Sequence, residues 1–255
     1  MYYPCDANPI RTWFAAPAFP VKKKTNMLKA YVDLVSQPSR AVFMFLKISK
    51  IPHSIVPVAL MKGEHVQEDY AKSINPFKLV PVIHDGSLVI PESVAILQYL
   101  CKKHGINSLY PEDLEAQARI DIFTQWQHTN LRRGGTDLFQ SLLVQPMSTG
   151  KPVDESRAEL GSKILHASLK SMENIFLKDS PFINNDSMSI ADLLGVSEVM
   201  QPQLGLGMDF SSYPKLSDWS RRVRNEVGAD IFDEAHFTLS MMGKHFQEQK
   251  HEAAS

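Results

Sequence analysis

Two serines stand where the sequence predicts the start of a helix. Ser36 follows an apolar, β-branched stretch at residues 30–35, and Ser93 precedes an apolar helical repeat. At a helix start, a hydroxyl group and the free backbone N–H groups together favour a bound anion. A serine in this position also caps its own helix when it accepts a hydrogen bond from a backbone N–H group. The pattern therefore predicts anion binding or helix capping at each serine.

The cysteine and histidine content argues against two other kinds of chemistry. Ser36 and Ser39 have the spacing of the cysteines in a CxxC redox motif, but thiol–disulfide exchange needs a thiolate. Cys5 and Cys101 are too few for a disulfide framework or a four-ligand zinc site, and the nine histidines form no HExxH pattern. We therefore expect no metal site, no disulfide oxidoreductase activity and a reducing compartment.

The composition is that of an ordinary globular protein. The 255 residues are 44% hydrophobic and 22% charged, which excludes a disordered or fibrous chain and allows one large or two modest domains. No run of about 20 apolar residues is present, so no transmembrane helix is expected. The formal net charge of −1 gives no electrostatic reason to expect nucleic acid or an anionic membrane as a partner.

The region around Ser36 is predicted to be a βαβ unit. Ser36 suits the N-cap of a helix, and Pro38 fits the first turn, where its missing N–H needs no partner. Farther on, Pro81 interrupts a strand, which requires a strand edge, a bulge or a cis Val80–Pro81 bond. An Asp-Gly pair then predicts a hairpin turn. The predicted order is strand, helix, strand, short helix, two strands and helix, over residues 30–35, 41–48, 54–60, 66–72, 78–84, 88–90 and 91–104.

The second half of the chain is predicted to be helical. Apolar residues recur at helical spacing, and turn formers separate the repeats. Ser189 and Asp192 have the spacing of a capping box, and Pro202 is expected to end the helix that they begin. The predicted helices cover residues 113–133, 154–178, 189–202, 214–223 and 231–247.

Residues 1–26 differ from the rest of the chain. They carry four basic residues and one acidic residue, a charge of +3, and show no periodicity. We interpret them as a disordered tail or an upstream extension, with an organelle transit peptide as the alternative. Residues 27–104 are assigned to an α/β domain, 105–112 to a linker and 113–255 to an all-helical domain.

With these elements in place, residues 27–248 resemble the cytosolic glutathione transferases, and the theta class in particular. The motifs that carry the resemblance are LVSQPSRAV at 34–42, VALMKGEH at 58–65, NPFKLVPVIHDG at 75–86, PESVAILQYL at 91–100, QARIDIFTQWQHTNLRR at 117–133 and SIADLLGVSEVMQP at 189–202. The resemblance implies a thioredoxin-like N-terminal domain, an all-α C-terminal domain, a homodimer and conjugation of glutathione to electrophiles.

The resemblance assigns the central chemistry to Ser36. A free thiol has a pKa of about 8.5, so little glutathione is ionised at neutral pH. In the theta class, the serine of the SQPSR motif donates a hydrogen bond to the bound sulfur and is not itself a nucleophile. Tyr31 is the competing hydroxyl, and we interpret it as a packed strand residue. Arg40 is expected to pair within its own domain.

The resemblance also implies a set of glutathione-binding residues. A cis peptide bond after Val80 would leave its backbone free to pair with the glutathione peptide. The helix start at Glu92-Ser93 would receive the γ-glutamyl ammonium and carboxylate groups. Leu79 replaces a lysine that is common in the family, and Lys78 is a candidate to substitute for it. The implied glutathione-binding residues are His65, Leu79, Val80, Glu92, Ser93 and Arg132.

The electrophile site is the least defined part of the prediction. The resemblance implies that the electrophile lies against the helical domain. The chain ends sooner than theta-class enzymes usually do, which predicts a more open site. The candidates to line it, with core packing as their alternative role, are Trp126, Thr129, Met241, Met242 and Phe246.

We therefore predict a cytoplasmic, homodimeric glutathione transferase that conjugates the thiolate to small hydrophobic electrophiles such as halides, epoxides or hydroperoxides. No cofactor is expected, because glutathione is a co-substrate. The alternative is a non-catalytic glutathione- or ligand-binding protein with the same fold, since a fold does not by itself determine function.

Overall fold

A four-stranded mixed sheet forms the centre of the N-terminal half. In this computed structural model, which describes residues 27–254, the strand order is β2-β1-β3-β4. Strand β1 pairs in parallel with β2 and antiparallel with β3, and β3 pairs antiparallel with β4 across the predicted hairpin. The bounds are Leu28–Val32 for β1, His53–Pro57 for β2, Val82–Asp85 for β3 and Leu88–Pro91 for β4. The interpretation of residues 1–26 as a tail concerns residues outside the described part of the chain.

Three helices accompany the sheet. They are α1 at Gln37–Ser49, α2 at Glu68–Ser73 and α3 at Ser93–His104. Helix α1 buries a nearly continuous apolar run against the sheet and the helical half. The predicted loop at residues 62–65 is instead made of two short 3₁₀ turns, Leu60–Lys62 and Glu64–Val66. This mixed sheet with its helices confirms the thioredoxin-like fold, although β1 ends three residues earlier than predicted.

The C-terminal half is entirely helical in the described residues, as predicted. Its helices are α4 at Leu114–Thr129, α5 at Leu131–Phe139, α6 at Gln145–Thr149, α7 at Glu155–Ser171, α8 at Ile190–Leu206, α9 at Pro214–Val227 and α10 at Ala229–Ala254. Two π-helical turns interrupt the regular helices, at Gln140–Val144 and Met172–Phe176.

Two of the predicted helix boundaries are wrong. The helix expected over residues 113–133 is broken at Asn130, whose φ of −116° and ψ of −92° are not helical. Helix α8 does not end at Pro202 but continues to Leu206. Proline removes one helical hydrogen bond, but Pro202 lies in a helix that is buried along nearly its whole length. Tertiary packing therefore outweighs the local preference.

Helices α5 and α7 approach closely because two glycines face each other. A Cβ atom on Gly134 would lie 2.4 Å from the backbone nitrogen of Leu165, and one on Gly161 would lie 2.7 Å from that of Leu138. Any larger side chain would force the helices apart. The contact fixes the position of α5, which carries residues that face the sheet-containing half.

Candidate functional site

A cavity of about 320 Å³ lies between the two halves of the molecule. Its walls come from the turn between β1 and α1, the segment before β3, the start of α3, and helices α5 and α8. The structure brings all seven sequence-predicted site residues to this cavity: Ser36, His65, Leu79, Val80, Glu92, Ser93 and Arg132.

Ser36 lies at the N-cap of α1 with an extended backbone, φ −79° and ψ 123°. Its carbonyl oxygen accepts a hydrogen bond from the Arg40 backbone nitrogen at 3.1 Å. Its hydroxyl makes no capping hydrogen bond to the helix. The capping alternative is therefore not realised, and Ser36 lines the cavity together with Gln37 and Pro38 of the first turn of α1.

The turn that presents Ser36 is fastened by Asp33. One carboxylate oxygen of Asp33 accepts a hydrogen bond from the Val35 backbone nitrogen at 2.8 Å, and the other accepts one from the Leu60 backbone nitrogen at 2.9 Å. The same carboxylate thus connects the turn before α1 to the segment after β2. This arrangement fixes the turn that carries Ser36 against the segment after β2, and both border the cavity.

Arg40 fastens the same turn from inside the protein. It is fully buried, and its Nη1 donates to the carbonyl oxygens of Leu34 and Val35 at 2.9 and 3.1 Å. Its Nη2 donates to the Ser197 carbonyl oxygen at 2.7 Å and to Gln201 Oε1 at 2.6 Å. Arg40 was expected to pair within its own domain, but it also joins the turn to α8 in the helical half.

Burial lowers the pKa of Arg40 to about 9, while the nearby carboxylates of Glu198 and Asp33 oppose this shift. Desolvation disfavours a buried cation, and opposite charges favour it. The guanidinium is thus charged at neutral pH because acidic partners on both sides compensate for part of its lost hydration.

The start of α3 provides a second group of polar atoms. Glu92 is the N-cap with a positive φ of 70°, a backbone conformation that non-glycine residues rarely adopt. The Ser93 hydroxyl is buried and has no hydrogen-bond partner among the described residues. Strained backbone of this kind often occurs at functional sites. The carboxylate and hydroxyl therefore remain available to a ligand at this helix start.

The segment before β3 contains the cis Val80–Pro81 bond that was one of the sequence alternatives. The carbonyl oxygen of Leu79 accepts hydrogen bonds from the Tyr70 hydroxyl at 2.9 Å and from Asn75 Nδ2 at 2.8 Å. In the part of the chain that the structure describes, the Val80 backbone pairs with no other backbone group. Its hydrogen-bonding groups lie at the cavity wall.

Lys78 does not take the place of the missing lysine at position 79. Its Nζ forms an ion pair with Glu68 at 3.1 Å, and Lys78 is not among the residues that line the cavity. The Leu79 side chain is 54% exposed at the rim. This edge of the cavity therefore lacks a side-chain cation from either position.

His65 and Arg132 complete the predicted set. His65 Nδ1 is buried without a partner in residues 27–254. Arg132 Nε donates to Glu198 Oε1 at 2.7 Å, and its Nη2 is likewise buried and unpartnered in this range. The neighbouring Arg133 instead pairs with Asp137 at 3.7 Å on the surface. Adjacent helical residues point about 100° apart, so only Arg132 faces the cavity.

Sequence reasoning missed the helical wall of the cavity. Gln37 Nε2 donates to Thr136 Oγ1 at 3.1 Å and so connects α1 to α5. Phe139 and Gln140 follow where α5 passes into a π-helical turn, a distortion frequent at functional sites. The apolar pattern continues across Asn130 and therefore did not show that α4 ends there and that a second helix, α5, follows.

The expected electrophile-site residues do not line this cavity. Trp126 packs against Phe123 and Phe176 instead, with ring centroids 5.9 and 4.7 Å away. Met241 is half exposed, and Met242 and Phe246 pack on the core. The break at Asn130 ends α4, and the next helix, α5, reaches the cavity in place of Trp126 and Thr129. The candidates for the electrophile site, with core packing as their alternative role, were Trp126, Thr129, Met241, Met242 and Phe246.

The arrangement is suited to a small ligand that carries several charges. Two helix starts and a guanidinium supply hydrogen-bond donors for anionic groups, and the Glu92 carboxylate supplies an acceptor for a cationic group. Pro38 and Phe139 add apolar surface to the walls. Within residues 27–254 no helix is long and apolar enough to cross a membrane, and no three potential metal-binding side chains cluster.

Comparison with known proteins agrees with this geometry. Residues 31–108 match the family model for the glutathione S-transferase N-terminal domain. The chain is 40% identical to human glutathione S-transferase theta-1, with 82% of this chain and 87% of that protein covered. It is 37% identical to the rat theta-2 protein, with 85% and 89% covered.

Solved structures give the same result. The apo form of human glutathione S-transferase T1-1 superposes with a TM-score of 0.80 at 38% identity, covering 85% of this chain and 91% of that one. Human glutathione transferase theta-2 in complex with glutathione and an unknown ligand superposes with a TM-score of 0.82 at 32% identity, covering 87% and 91%.

Proposed function

The chain belongs to the theta class of the glutathione S-transferases, and we propose that its Ser36 hydroxyl activates the glutathione thiol for conjugation. The transferase activity follows from the theta-class relatives. The serine role rests on one observation. Ser36 stands at a helix N-cap, faces the cavity and leaves its hydroxyl uncommitted to its own helix.

The proposed activation combines two effects on the glutathione sulfur. A hydrogen bond from the Ser36 hydroxyl stabilises the thiolate more than the thiol, and the positive end of the α1 dipole acts in the same direction. Both lower the pKa of the bound thiol below its solution value of about 8.5. The thiolate then attacks an electrophilic carbon, a C–S bond forms, and the leaving group departs with its electron pair. Ser36 forms no covalent bond.

Glutathione is proposed to lie along the sheet-containing wall. The γ-glutamyl carboxylate is placed at the start of α3 near the unpartnered Ser93 hydroxyl, with the ammonium group at Glu92. The peptide backbone of glutathione pairs with the free backbone groups of Val80. His65 and Leu79 lie at the glycyl end, and Arg132 faces the ligand from α5. Human theta-2, a relative, has been solved with glutathione bound.

The electrophile is proposed to occupy the helical wall, so residues 27–104 provide the glutathione site, to which Arg132 is added, and residues 113–255 bind the second substrate. Phe139 supplies an aromatic surface there, and Thr136 and Gln140 supply polar groups. A human theta-class relative has been solved with the glutathione conjugate of 1-menaphthyl sulfate. For this chain we propose halides, epoxides and organic hydroperoxides as substrate classes.

We propose three further properties, which concern assembly, compartment and cofactor need. The family relationship supports a homodimer, which sedimentation analysis of the full chain would test. Cys101 is a buried free thiol, which fits a reducing, cytoplasmic environment. Glutathione is the only small molecule that the proposed chemistry needs besides the electrophile.

The ultraviolet absorbance of bound glutathione thiolate, measured against pH, tests the proposal. We expect wild-type protein to hold thiolate well below pH 8.5 and Ser36→Ala to lose it while still binding glutathione. Ser39→Ala is the matched control, because the Ser39 hydroxyl is buried in the same helix without a partner but does not line the cavity.

Loss of Ser36 is expected to lower kcat/KM on the order of 100-fold, comparable to removing one donor from an oxyanion site. A normal thiol titration in both wild type and Ser36→Ala would reject the catalytic role and favour a glutathione-binding protein. Absence of glutathione binding to the wild type would reject the site itself.

A further inference from the structure

Glu198 is a buried carboxylate in the middle of helix α8. The residue is 1% exposed and does not line the cavity. Transfer of a carboxylate from water into the protein interior is unfavourable unless the charge is paired and hydrogen-bonded. The position of Glu198 therefore requires a partner that compensates for its lost hydration.

Its partner is Arg132, and the pair is only half closed. Arg132 Nε donates to Glu198 Oε1 at 2.7 Å. Arginine–carboxylate pairs frequently form two parallel hydrogen bonds. Here Arg132 Nη2 and Glu198 Oε2 are both buried without a partner in the described residues. Glu198 therefore holds the guanidinium through Nε alone, and Nη2 of this cavity-lining arginine is left without a partner in the described residues.

The same turn of α8 also supports the Ser36 side of the cavity. Ser197 and Gln201, one residue before and three residues after Glu198, accept hydrogen bonds from Arg40 Nη2 at 2.7 and 2.6 Å. The charge of Glu198 favours the protonated form of Arg40 against the effect of burial. Glu198 is thus a shared counter-ion for one arginine beneath the Ser36 turn and another at the cavity wall.

We propose that Glu198 is a positioning residue for the transferase reaction, holding the Arg132 guanidinium at the cavity so that its charge acts on the glutathione thiolate. The proposal rests on the proposed function, because it assumes that a thiolate forms beside Ser36. Arg132 borders the cavity and Glu198 lies behind it. The cation is therefore nearer to the sulfur, and its attraction exceeds the repulsion from the carboxylate.

Two substitutions of Glu198 separate its position-holding role from its charge. Glu198→Ala removes the acceptor of the Arg132 Nε hydrogen bond, and a partly buried guanidinium without a partner reorients toward water. We expect the pKa of bound glutathione to rise by about one pH unit. Glu198→Gln keeps an oxygen acceptor and removes the negative charge. Its bound thiol should titrate at or below the wild-type pKa.

A double-mutant cycle tests whether Glu198 acts through Arg132. We expect Glu198→Ala to raise the thiol pKa in the wild-type background but not in Arg132→Ala, where the substitution removes only the repulsive carboxylate and leaves the pKa equal or lower. The charged groups that surround the pair, Arg40, Asp33, Glu92 and His128, are unchanged in all four proteins. The readout is the ultraviolet thiolate titration with glutathione in the full chain.

Glu173→Ala is the matched control for a purely structural effect. Glu173 is a buried carboxylate away from the cavity that accepts hydrogen bonds from the backbone nitrogens of Lys215 and Leu216 at 3.0 and 2.9 Å. Its loss should lower the melting temperature and leave the thiol pKa unchanged. The Glu198 variants are compared at a temperature at which all the proteins are folded by circular dichroism.

The outcomes are distinct. A rise in thiol pKa for Glu198→Ala, rescued in Glu198→Gln and absent in the Arg132→Ala background, supports the proposal. An unchanged pKa in folded Glu198→Ala, or a fall in both Glu198 variants, overturns it while the proposed function stands. A normal thiol titration in wild-type protein rejects the proposed function, and this inference with it.

Discussion

Helices α1 and α8 both have a serine at the N-cap, and the two serines are used in opposite ways. The hydroxyl of Ser189, at the start of α8, accepts a hydrogen bond from the Ala191 backbone nitrogen at 3.2 Å. It also donates one to Asp192 Oδ2 at 3.1 Å. Ser36 at the start of α1 makes no side-chain hydrogen bond to its helix. One helix start is buried in the helical core, and the other opens onto a cavity.

The residues two and three positions later differ between the two helix starts: Ala191 donates its backbone N–H to Ser189, whereas Pro38, at the same position after Ser36, has no N–H. Asp192 completes a capping box with Ser189 and also accepts hydrogen bonds from the Ile183 backbone nitrogen and Trp219 Nε1, both at 2.8 Å. Ser39 occupies the corresponding position after Ser36 and supplies no acidic acceptor. A cap that satisfies its own helix stabilises the fold, whereas a cap left open remains available to a ligand.

The largest expected effect is on the closed cap. Asp192→Ala leaves several buried donors unpaired, so we expect a loss of unfolding free energy of about 4 kcal/mol and a fall in Tm on the order of 10 °C. Asp154→Ala is the control, because Asp154 caps α7 on the surface and its loss should cost only about 1 kcal/mol. Similar losses in the two variants, measured by urea unfolding, would show that the buried network adds nothing to a simple cap.

A smaller effect concerns how the unfolding free energy depends on pH, through a histidine buried where α10 packs against α1 and α8. His236 lies on α10, which packs against α1 and α8, and burial lowers its pKa to about 3, with the charge of Arg40 acting in the same direction. The folded protein keeps His236 neutral, while the unfolded chain binds a proton below pH 6.5. This contribution to stability is therefore complete above pH 6.5 and is lost as the pH falls toward 3.

We expect wild-type protein to lose about 2 kcal/mol more unfolding free energy than His236→Leu between pH 7 and pH 5, at ~1.4 kcal/mol per pH unit below pH 6.5. Urea unfolding at the two pH values measures the difference. Parallel pH dependence in the two proteins would mean that His236 titrates normally in the folded state.

The smallest expected effect on the unfolding free energy compares the two N-cap serines directly. Ser189→Ala should lower the unfolding free energy by about 1 kcal/mol, whereas Ser36→Ala should change it by only a few tenths, because no cap bond is lost. Activity should respond in the opposite order, with a large loss in Ser36→Ala and little change in Ser189→Ala. Equal destabilisation of the two variants would indicate that Ser36 does cap its helix in solution.

Much of this architecture is predictable from local sequence patterns. The hairpin after Pro81, the cap at Ser189 and the general order of strands and helices follow from turn chemistry and apolar periodicity. The seven proposed site residues were predicted from motif resemblance, and all of them lie at one cavity. Their roles in binding and catalysis stay predictions.

The sequence by itself determined that Ser36 and Ser189 precede helices and which class of fold the chain builds, because those properties depend on neighbours along the chain. Only the tertiary structure decided how Pro202 is tolerated, how Arg40 joins two halves and which helix faces the cavity. Each of these depends on groups far apart in sequence, such as Arg40 and Gln201. Burial and hydrogen bonding between such groups depend on how the helices pack, and local sequence patterns do not predict that packing.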